Sequence, residues 1–206
     1  MEEKNISEQE SLLIIRQMIQ TAKSEQKDDG RGWILWGWML FFASILTILN
    51  RRYQWYQPWF FWNLFGAVSL VVMFYELVAS RFVKKKERVR TYTKELFSKL
   101  NTGFFLSLMF IIVGINLGVP PIKGFPLLIN LYAFWILIYG SALNFRPSII
   151  AAYITWAFGF AGFFVQNFEQ LMLVHAGAVL VGYIIPGYIA NREFKKLKNR
   201  SLAESV

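Results

Sequence analysis

The chain has 206 residues, of which 55% are hydrophobic, 18% are aromatic and 17% are charged, and its formal net charge is +9. In soluble domains about a quarter of the residues are charged. The excess of apolar residues in this chain is therefore too large for one water-soluble core. The lack of Cys excludes disulfides, thiol nucleophiles and Cys-ligated metals. With a single His as well, we expect no metal, no cofactor, no catalytic residues and no enzymatic activity.

The first part of the chain, residues 1–32, is predicted to be a cytoplasmic amphipathic helix followed by a linker. Ser7 and Glu10 have the spacing of a capping box, and apolar residues recur at helical spacing over residues 12–22. The opening MEEKNISEQE has no basic start followed by an apolar stretch, so it does not have the pattern of a signal peptide. The helix, over about residues 7–24, either contacts a partner or packs on the bundle.

Six stretches are apolar and long enough to be membrane spans, each of which needs about 20 mostly apolar residues. They cover approximately residues 33–49, 58–79, 102–119, 125–143, 148–165 and 170–190. Together they predict an all-α, polytopic membrane protein with six transmembrane helices over residues 33–190. More than half the chain is used in this way, so no second folded domain is expected.

Basic residues predict the orientation of these spans, because Lys and Arg bias short loops toward the cytoplasm. Nineteen of the 22 lie in the N-terminal segment, the loop at 80–100, the fourth connection and the basic tail at 191–206. Three, Arg51, Arg52 and Lys123, lie in the alternate connections. Both termini are therefore predicted to be cytoplasmic, and the net charge is explained without nucleic acid as a partner.

The loop at 80–100 is a basic elbow between the second and third spans. Its composition is helical, without Gly or Pro, and predicts that both spans continue beyond the bilayer and meet near residues 90–93. Such clusters attract anionic lipid headgroups at about 1 kcal/mol per charge near the surface. The simpler interpretation is that these charges only fix the topology.

A polar layer is predicted in the outer third of the membrane. By their positions along the spans, Asn63, Asn116, Asn130 and His175 all fall at this depth. If they face inward, they form a shallow ligand-binding pocket or an ion-entry vestibule. The alternative is that the amides hydrogen-bond across the bundle, at about 1 kcal/mol each.

Glu76 is the other ionisable side chain well inside a predicted span, near its inner end. Intramembrane ionisable groups are hypotheses for function by default, and Glu76 would take up a proton or cation from the cytoplasm. It would equally pair with a basic residue of the elbow or hydrogen-bond a tyrosine. A depth difference of roughly 15 Å from His175 excludes a direct proton-sharing pair.

The last two spans carry small residues at spacings that allow close helix packing. They are Ala151, Thr155, Gly159 and Gly162 in the fifth span, and Ala178 and Gly182 in the sixth. Pro186 leaves the carbonyl of Gly182 without its helical donor, which predicts a kink.

Several segments resemble a family of small, uncharacterised bacterial integral membrane proteins with six spans. They are ILWGW at 34–38, GSALNFRP at 140–147 and YIIPGY at 183–188, with QES at 9–11 in the opening helix. The resemblance implies a bacterial inner-membrane location and six spans, and it names no catalytic residue.

Two classes of function remain open from the sequence. The first is a non-enzymatic structural or regulatory bundle that contacts a cytoplasmic partner protein or a second copy of itself. The alternative is a transporter or channel subunit for a small molecule or ion, with a shallow polar site in the outer leaflet.

Overall fold

A computed structural model describes residues 29–82 and 92–203, and over these residues the chain is helical with no strand. The helices are α1 (Arg31–Tyr53), α2 (Phe60–Phe82), α3 (Tyr92–Asn116), α4 (Pro121–Ala142), α5 (Arg146–Gly162), α6 (Phe168–Val179), a π-helical turn (Leu180–Ile184) and α7 (Ile185–Ala203). The predicted all-α class is confirmed. The helix predicted over residues 7–24 and the bend of the elbow near residue 90 lie outside the described residues.

Four helices in the described part are long and apolar enough to cross a membrane. They are Arg31–Tyr53, Lys99–Asn116, Pro121–Ala142 and the continuous stretch Phe168–Leu197. In α2, residues Phe60–Val72 form an apolar helical stretch, and α5 has 17 residues, a length of about 25 Å. Each of the six predicted stretches is therefore largely helical, while the count of six spans stays a prediction.

The helices alternate in direction from α1 to α6, and α6, the π-helical turn and α7 continue as one helix, so the bundle has two ends. At the upper end, Trp59 and Phe168 are in contact, with ring centroids 5.5 Å apart. At the lower end, the Asn191 amide donates a hydrogen bond to the Asp29 carbonyl oxygen at 2.7 Å. The upper end comprises the connections at residues 54–59, 117–120 and 163–167, and the lower end comprises residues 29–30 and 143–145.

The helices fall into two groups by their packing. A core bundle consists of α1, α4, α5, α6, the π-helical turn and α7, which pack on one another. The flanking helices are α2 and α3: among the described residues, the backbone of α2 approaches only α1, and that of α3 approaches only α4. The flanking helices do not approach each other, although the elbow joins them.

Small residues bring the backbones of the core bundle close together. A Cβ on Gly182 would lie 2.7 Å from Thr155 Oγ1, and a Cβ on Gly140 would lie 2.8 Å from the Ser148 Cβ. A Cβ on Gly187 would lie 3.1 Å from the backbone nitrogen of Ile34. The predicted close packing of the last two spans is confirmed, and it extends to α1 and α4.

The helix that runs from α6 into α7 accommodates its proline with a π-helical turn. The Ile185 N–H donates to the Leu180 carbonyl oxygen, five residues earlier. Pro186 follows immediately and has no N–H to continue the α-helical pattern. Single π-helical turns inside α-helices are rare in proteins. Those that occur are often found at functional sites.

Candidate functional site

His175 lies at the centre of the core bundle and is fully buried. It belongs to α6, and three aromatic rings surround it nearly at right angles. The ring centroids of Trp62, Phe125 and Tyr132 lie 5.4, 5.6 and 5.8 Å from that of His175. We call these three rings the aromatic cage. Such edge-to-face arrangements are favourable for aromatic side chains and hold the imidazole in one orientation.

One hydrogen bond connects His175 to α1. The Ser44 hydroxyl oxygen lies 2.8 Å from His175 Nδ1 and 2.9 Å from the Leu40 carbonyl oxygen. A carbonyl can only accept, and the hydroxyl has a single proton to donate. Both hydrogen bonds can therefore form together only if the Ser44 hydroxyl donates to Leu40 and Nδ1–H donates to Ser44. In that tautomer, Nε2 of His175 carries a lone pair.

Two nitrogen atoms of this cluster are left without partners. Nε2 of His175 and Nε1 of Trp62 are both buried, and neither has a hydrogen-bond partner among the residues described. Most buried polar groups in proteins are hydrogen-bonded, and an unsatisfied one costs about 1–3 kcal/mol. Two such groups on adjacent rings therefore require an explanation.

A polar ridge along α1 adjoins this site. Ser44, Thr47 and Asn50 are spaced three residues apart on one face of the helix and are almost fully buried. Asn50 holds the first upper connection: its amide donates to the carbonyl oxygens of Tyr56 at 3.2 Å and Gln57 at 3.0 Å. The Tyr56 N–H donates back to the Asn50 side chain at 2.8 Å. Sequence reasoning missed these residues, although their regular spacing within an apolar span was a usable signal.

The asparagines of the predicted outer layer lie elsewhere. Asn63, Asn116 and Asn130 are exposed, on α2, α3 and α4 respectively, whereas His175 is fully buried. The Asn116 amide donates to the Ile112 carbonyl oxygen of its own helix, at 2.8 Å. The structure therefore does not bring the three amides together with His175, because their helices turn these positions outward. Their role as ligands stays a prediction.

Glu76, the predicted proton or cation site, lies in α2, six residues before its end at Phe82. Its backbone is helical, as predicted, and is in the half of α2 nearer the lower end. Its side chain is outside the described part of the structure. The proposed exchange of a proton or cation at Glu76 stays a prediction.

A column of polar rings leads from His175 toward the lower end. The Tyr132 ring of the cage lies 5.8 Å from that of Tyr183, which lies 5.1 Å from Trp33. Trp33 lies in turn 4.9 Å from Tyr139. Each of these rings carries a hydroxyl or an indole N–H, so the column offers polar groups along its length.

The column ends at a groove in the lower end, with a volume of about 120 Å³. Trp33, Tyr139, Ser148, Pro186 and Glu193 are among its lining residues. The groove thus joins the first turn of α5 and the part of α7 that follows the π-helical turn. Sequence reasoning did not predict it, because its walls come from four separate elements.

The upper side of His175 is closed by rings that carry no hydroxyl. Phe125 of the cage lies 5.7 Å from Phe168, which lies 5.5 Å from Trp59. The Arg51 guanidinium covers the Phe168 ring at 5.1 Å from its centroid, a cation–π contact. Polar rings therefore connect His175 to the lower end of the bundle, and the polar ridge from Ser44 to Asn50 connects it to the upper end, where sequence reasoning placed an open pocket.

Comparisons with known proteins supply no further assignment. No protein-family model, no curated protein and no solved structure matches the chain. Within residues 29–82 and 92–203, no three His, Cys, Asp or Glu side chains form a group that could hold a metal ion. The site is thus defined by its own geometry: one fully buried imidazole, the three rings of the aromatic cage and two unpartnered nitrogens.

Proposed function

We propose that the protein is a six-span bacterial inner-membrane protein that acts as a non-enzymatic structural or regulatory bundle. In this proposal both termini and the lower end of the bundle face the cytoplasm. There, the protein contacts a cytoplasmic partner protein or a second copy of itself. Anionic lipid headgroups bind the basic elbow.

The observation that carries the proposal is the exposed positive charge at the lower end. Arg31 on α1, Arg146 on α5, and Arg192, Lys195 and Lys196 on α7 all have exposed side chains. These cations are carried by three helices that pack in the core bundle, so their relative positions are fixed by close backbone contacts. A fixed basic surface favours contact with an acidic protein surface and with anionic headgroups.

The flanking helices support the same interpretation. Because α2 lies on α1 and α3 lies on α4, and their backbones do not approach each other within the described residues, the elbow joins two separately anchored helices. By sequence the elbow carries eight basic residues, from Arg81 to Lys99, and in the proposal these are the residues that bind anionic headgroups. Many large apolar side chains of α2 and α3, among them Phe74 and Phe110, are exposed, as expected for helices in contact with lipid.

The test uses the absence of cysteine from the chain, which lets single cysteines be introduced without removing native ones. Lys195→Cys and Arg146→Cys place a photo-crosslinker at the lower end, and Arg52→Cys is the matched control at the upper end. In native membranes, we expect discrete crosslinked products from the two lower positions alone. The mass of each product distinguishes a second copy from a different protein.

A second arm removes residues 1–24 from the same variants. If the predicted N-terminal helix contributes to the contact, its removal should eliminate or change the products at the lower end. Crosslinking that is equal at the two ends, or absent from the lower end, contradicts the proposal.

The alternative function, a small-molecule or ion transporter or channel subunit, is favoured by one observation. The π-helical turn Leu180–Ile184 precedes Pro186, which lines the groove, and such turns are frequent at functional sites. The purified protein is screened by thermal melting against small molecules and ions. A ligand shift that Ser148→Ala or Glu193→Ala, in the lining of the groove, abolishes supports this alternative, and variants that only lose stability count against it.

A further inference from the structure

We propose that the protein contains a binding site for one neutral molecule of the size of water, held between His175 Nε2 of the core bundle and the Trp62 indole N–H of the flanking helix α2. This site is independent of the contact surface in the proposed function. It rests on the two buried, unpartnered nitrogen atoms and on the hydrogen bonds that set the tautomer of His175.

The two nitrogens require opposite partners. The Ser44 hydroxyl oxygen accepts a hydrogen bond from Nδ1–H, so Nε2 of the neutral His175 ring is an acceptor. The Trp62 indole N–H is a donor only. The two nitrogens therefore need a ligand that donates one hydrogen bond and accepts another. The two rings are neighbours, with centroids 5.4 Å apart, so one small molecule beside both rings can hydrogen-bond to both nitrogens.

The surroundings select a neutral ligand. An ammonium ion has donors but no acceptor, so it would leave the indole N–H of Trp62 unpartnered. An anion without a proton has acceptors but no donor for His175 Nε2. The other groups in contact with His175 are Ser44, Phe125 and Tyr132, and none of them is a charged side chain that would neutralise an ion.

Water has the required chemistry and size. Buried waters typically make about two to four hydrogen bonds to groups that would otherwise be unsatisfied, and the two nitrogens supply two. The column of polar rings through Tyr132 and Tyr183 gives the site a polar connection to the groove at the lower end. On the upper side, Phe125 and Phe168 close the site with apolar rings.

The experiment uses His175 as the single histidine of the chain. The full-length protein is labelled with ¹⁵N-histidine, reconstituted in lipid bilayers and studied by solid-state NMR with water as the probe. We expect a protonated Nδ1, an unprotonated Nε2, and transfer of magnetisation from water protons to Nε2. A protonated Nε2, or an absence of transfer from water to Nε2, overturns the proposal.

Trp62→Phe keeps an aromatic ring in the cage and removes the indole N–H. We expect loss of the transfer from water to Nε2 and a shift of the Nε2 resonance. Trp59→Phe is the matched control at the upper end and should leave the spectrum of His175 unchanged. A Trp62→Phe spectrum identical to that of the unmodified protein overturns the proposal. If the variant does not fold, the protonation state of Nε2 and the transfer from water in the unmodified protein are sufficient for the test.

Discussion

Serine and asparagine side chains of the core bundle and of the flanking helices differ in the groups to which they hydrogen-bond. In the core bundle, Ser44 bonds to His175 of another helix, and Asn50 fixes the upper connection at residues 54–59. In the flanking helices, Ser69 and Asn116 only return to the carbonyl oxygens of their own helices, at 2.7 and 2.8 Å. Thr47 and Thr155 of the core bundle also return to the carbonyl oxygens of their own helices, so a bond between elements forms only where the side chain faces another polar group.

The apolar residues differ between the two regions in the same way. Ile129 and Ile136 of the core bundle are fully buried, whereas Phe110 of α3 is 81% exposed and Tyr75 of α2 is 72% exposed. Tight complementarity makes a core sensitive to the addition or removal of single carbon atoms. We therefore expect matched substitutions in the two regions to have different effects on stability.

The largest difference is expected between glycines. Gly140→Leu places a side chain against the Ser148 Cβ and the Ile149 backbone nitrogen, 2.8 and 3.1 Å from an added Cβ. It should lower the free energy of unfolding by about 3 kcal/mol, because α4 and α5 must separate. Gly103→Leu in α3 has no atom within 4 Å of the added Cβ and should be tolerated. Unfolding titrations in mixed micelles test this, and equal losses would contradict the division into two regions.

The next difference is expected between asparagines. Asn50→Ala removes three hydrogen bonds to the upper connection and should cost about 2 kcal/mol of unfolding free energy. Asn116→Ala removes one exposed hydrogen bond within a helix and should change stability by less than about 0.5 kcal/mol. The same titrations measure both. A larger loss for Asn116 would mean that its amide has a partner that the isolated chain does not provide.

A smaller difference is expected between serines. Ser44→Ala leaves the Nδ1–H of His175 without its acceptor and should cost about 1.5 kcal/mol, the penalty of an unsatisfied buried donor. Ser69→Ala removes only a bond to the carbonyl oxygen of Phe65 and should be close to neutral. Thermal melting of the two variants side by side decides the comparison. Equal melting temperatures would show that the Ser44–His175 bond does not stabilise the bundle.

The smallest effect is expected on the outer face of α3. Phe110→Ala truncates a side chain that makes few contacts within the chain and should change the free energy of unfolding by less than about 0.5 kcal/mol. Ile129→Ala in the core bundle, as the reference, should cost about 3 kcal/mol. A loss at Phe110 as large as that at Ile129 would show that another chain covers this face of α3.

The helices could be predicted from the sequence because length and apolarity alone indicate them. Each of the six apolar stretches coincides largely with helix in the structure. The composition and the spacing of small residues also predicted the close approach at Gly182, which the structure confirms. These features depend on local sequence and do not require knowledge of which helices are neighbours.

The site could be predicted only in part, because depth along a helix does not specify the face that a residue occupies. Asn63 and Asn130 lie at the predicted helical positions but are exposed, whereas His175 is buried. Asn50 lies just beyond the predicted first span, at 33–49, so the prediction of spans does not indicate that Asn50 is buried. The aromatic cage brings together residues of α2 and α4 around His175 of α6, three helices distant in sequence, and no local pattern specifies that arrangement.

The proposed orientation, with the lower end of the bundle in the cytoplasm, can be tested by labelling from one side of the membrane. Arg52→Cys at the upper end and Lys195→Cys at the lower end are exposed to a membrane-impermeant maleimide in intact bacterial cells. We expect labelling of Arg52→Cys in intact cells, and labelling of Lys195→Cys only after the membrane is permeabilised. Labelling of Lys195→Cys from outside, or labelling of both positions in intact cells, would contradict a membrane-embedded bundle with a cytoplasmic lower end.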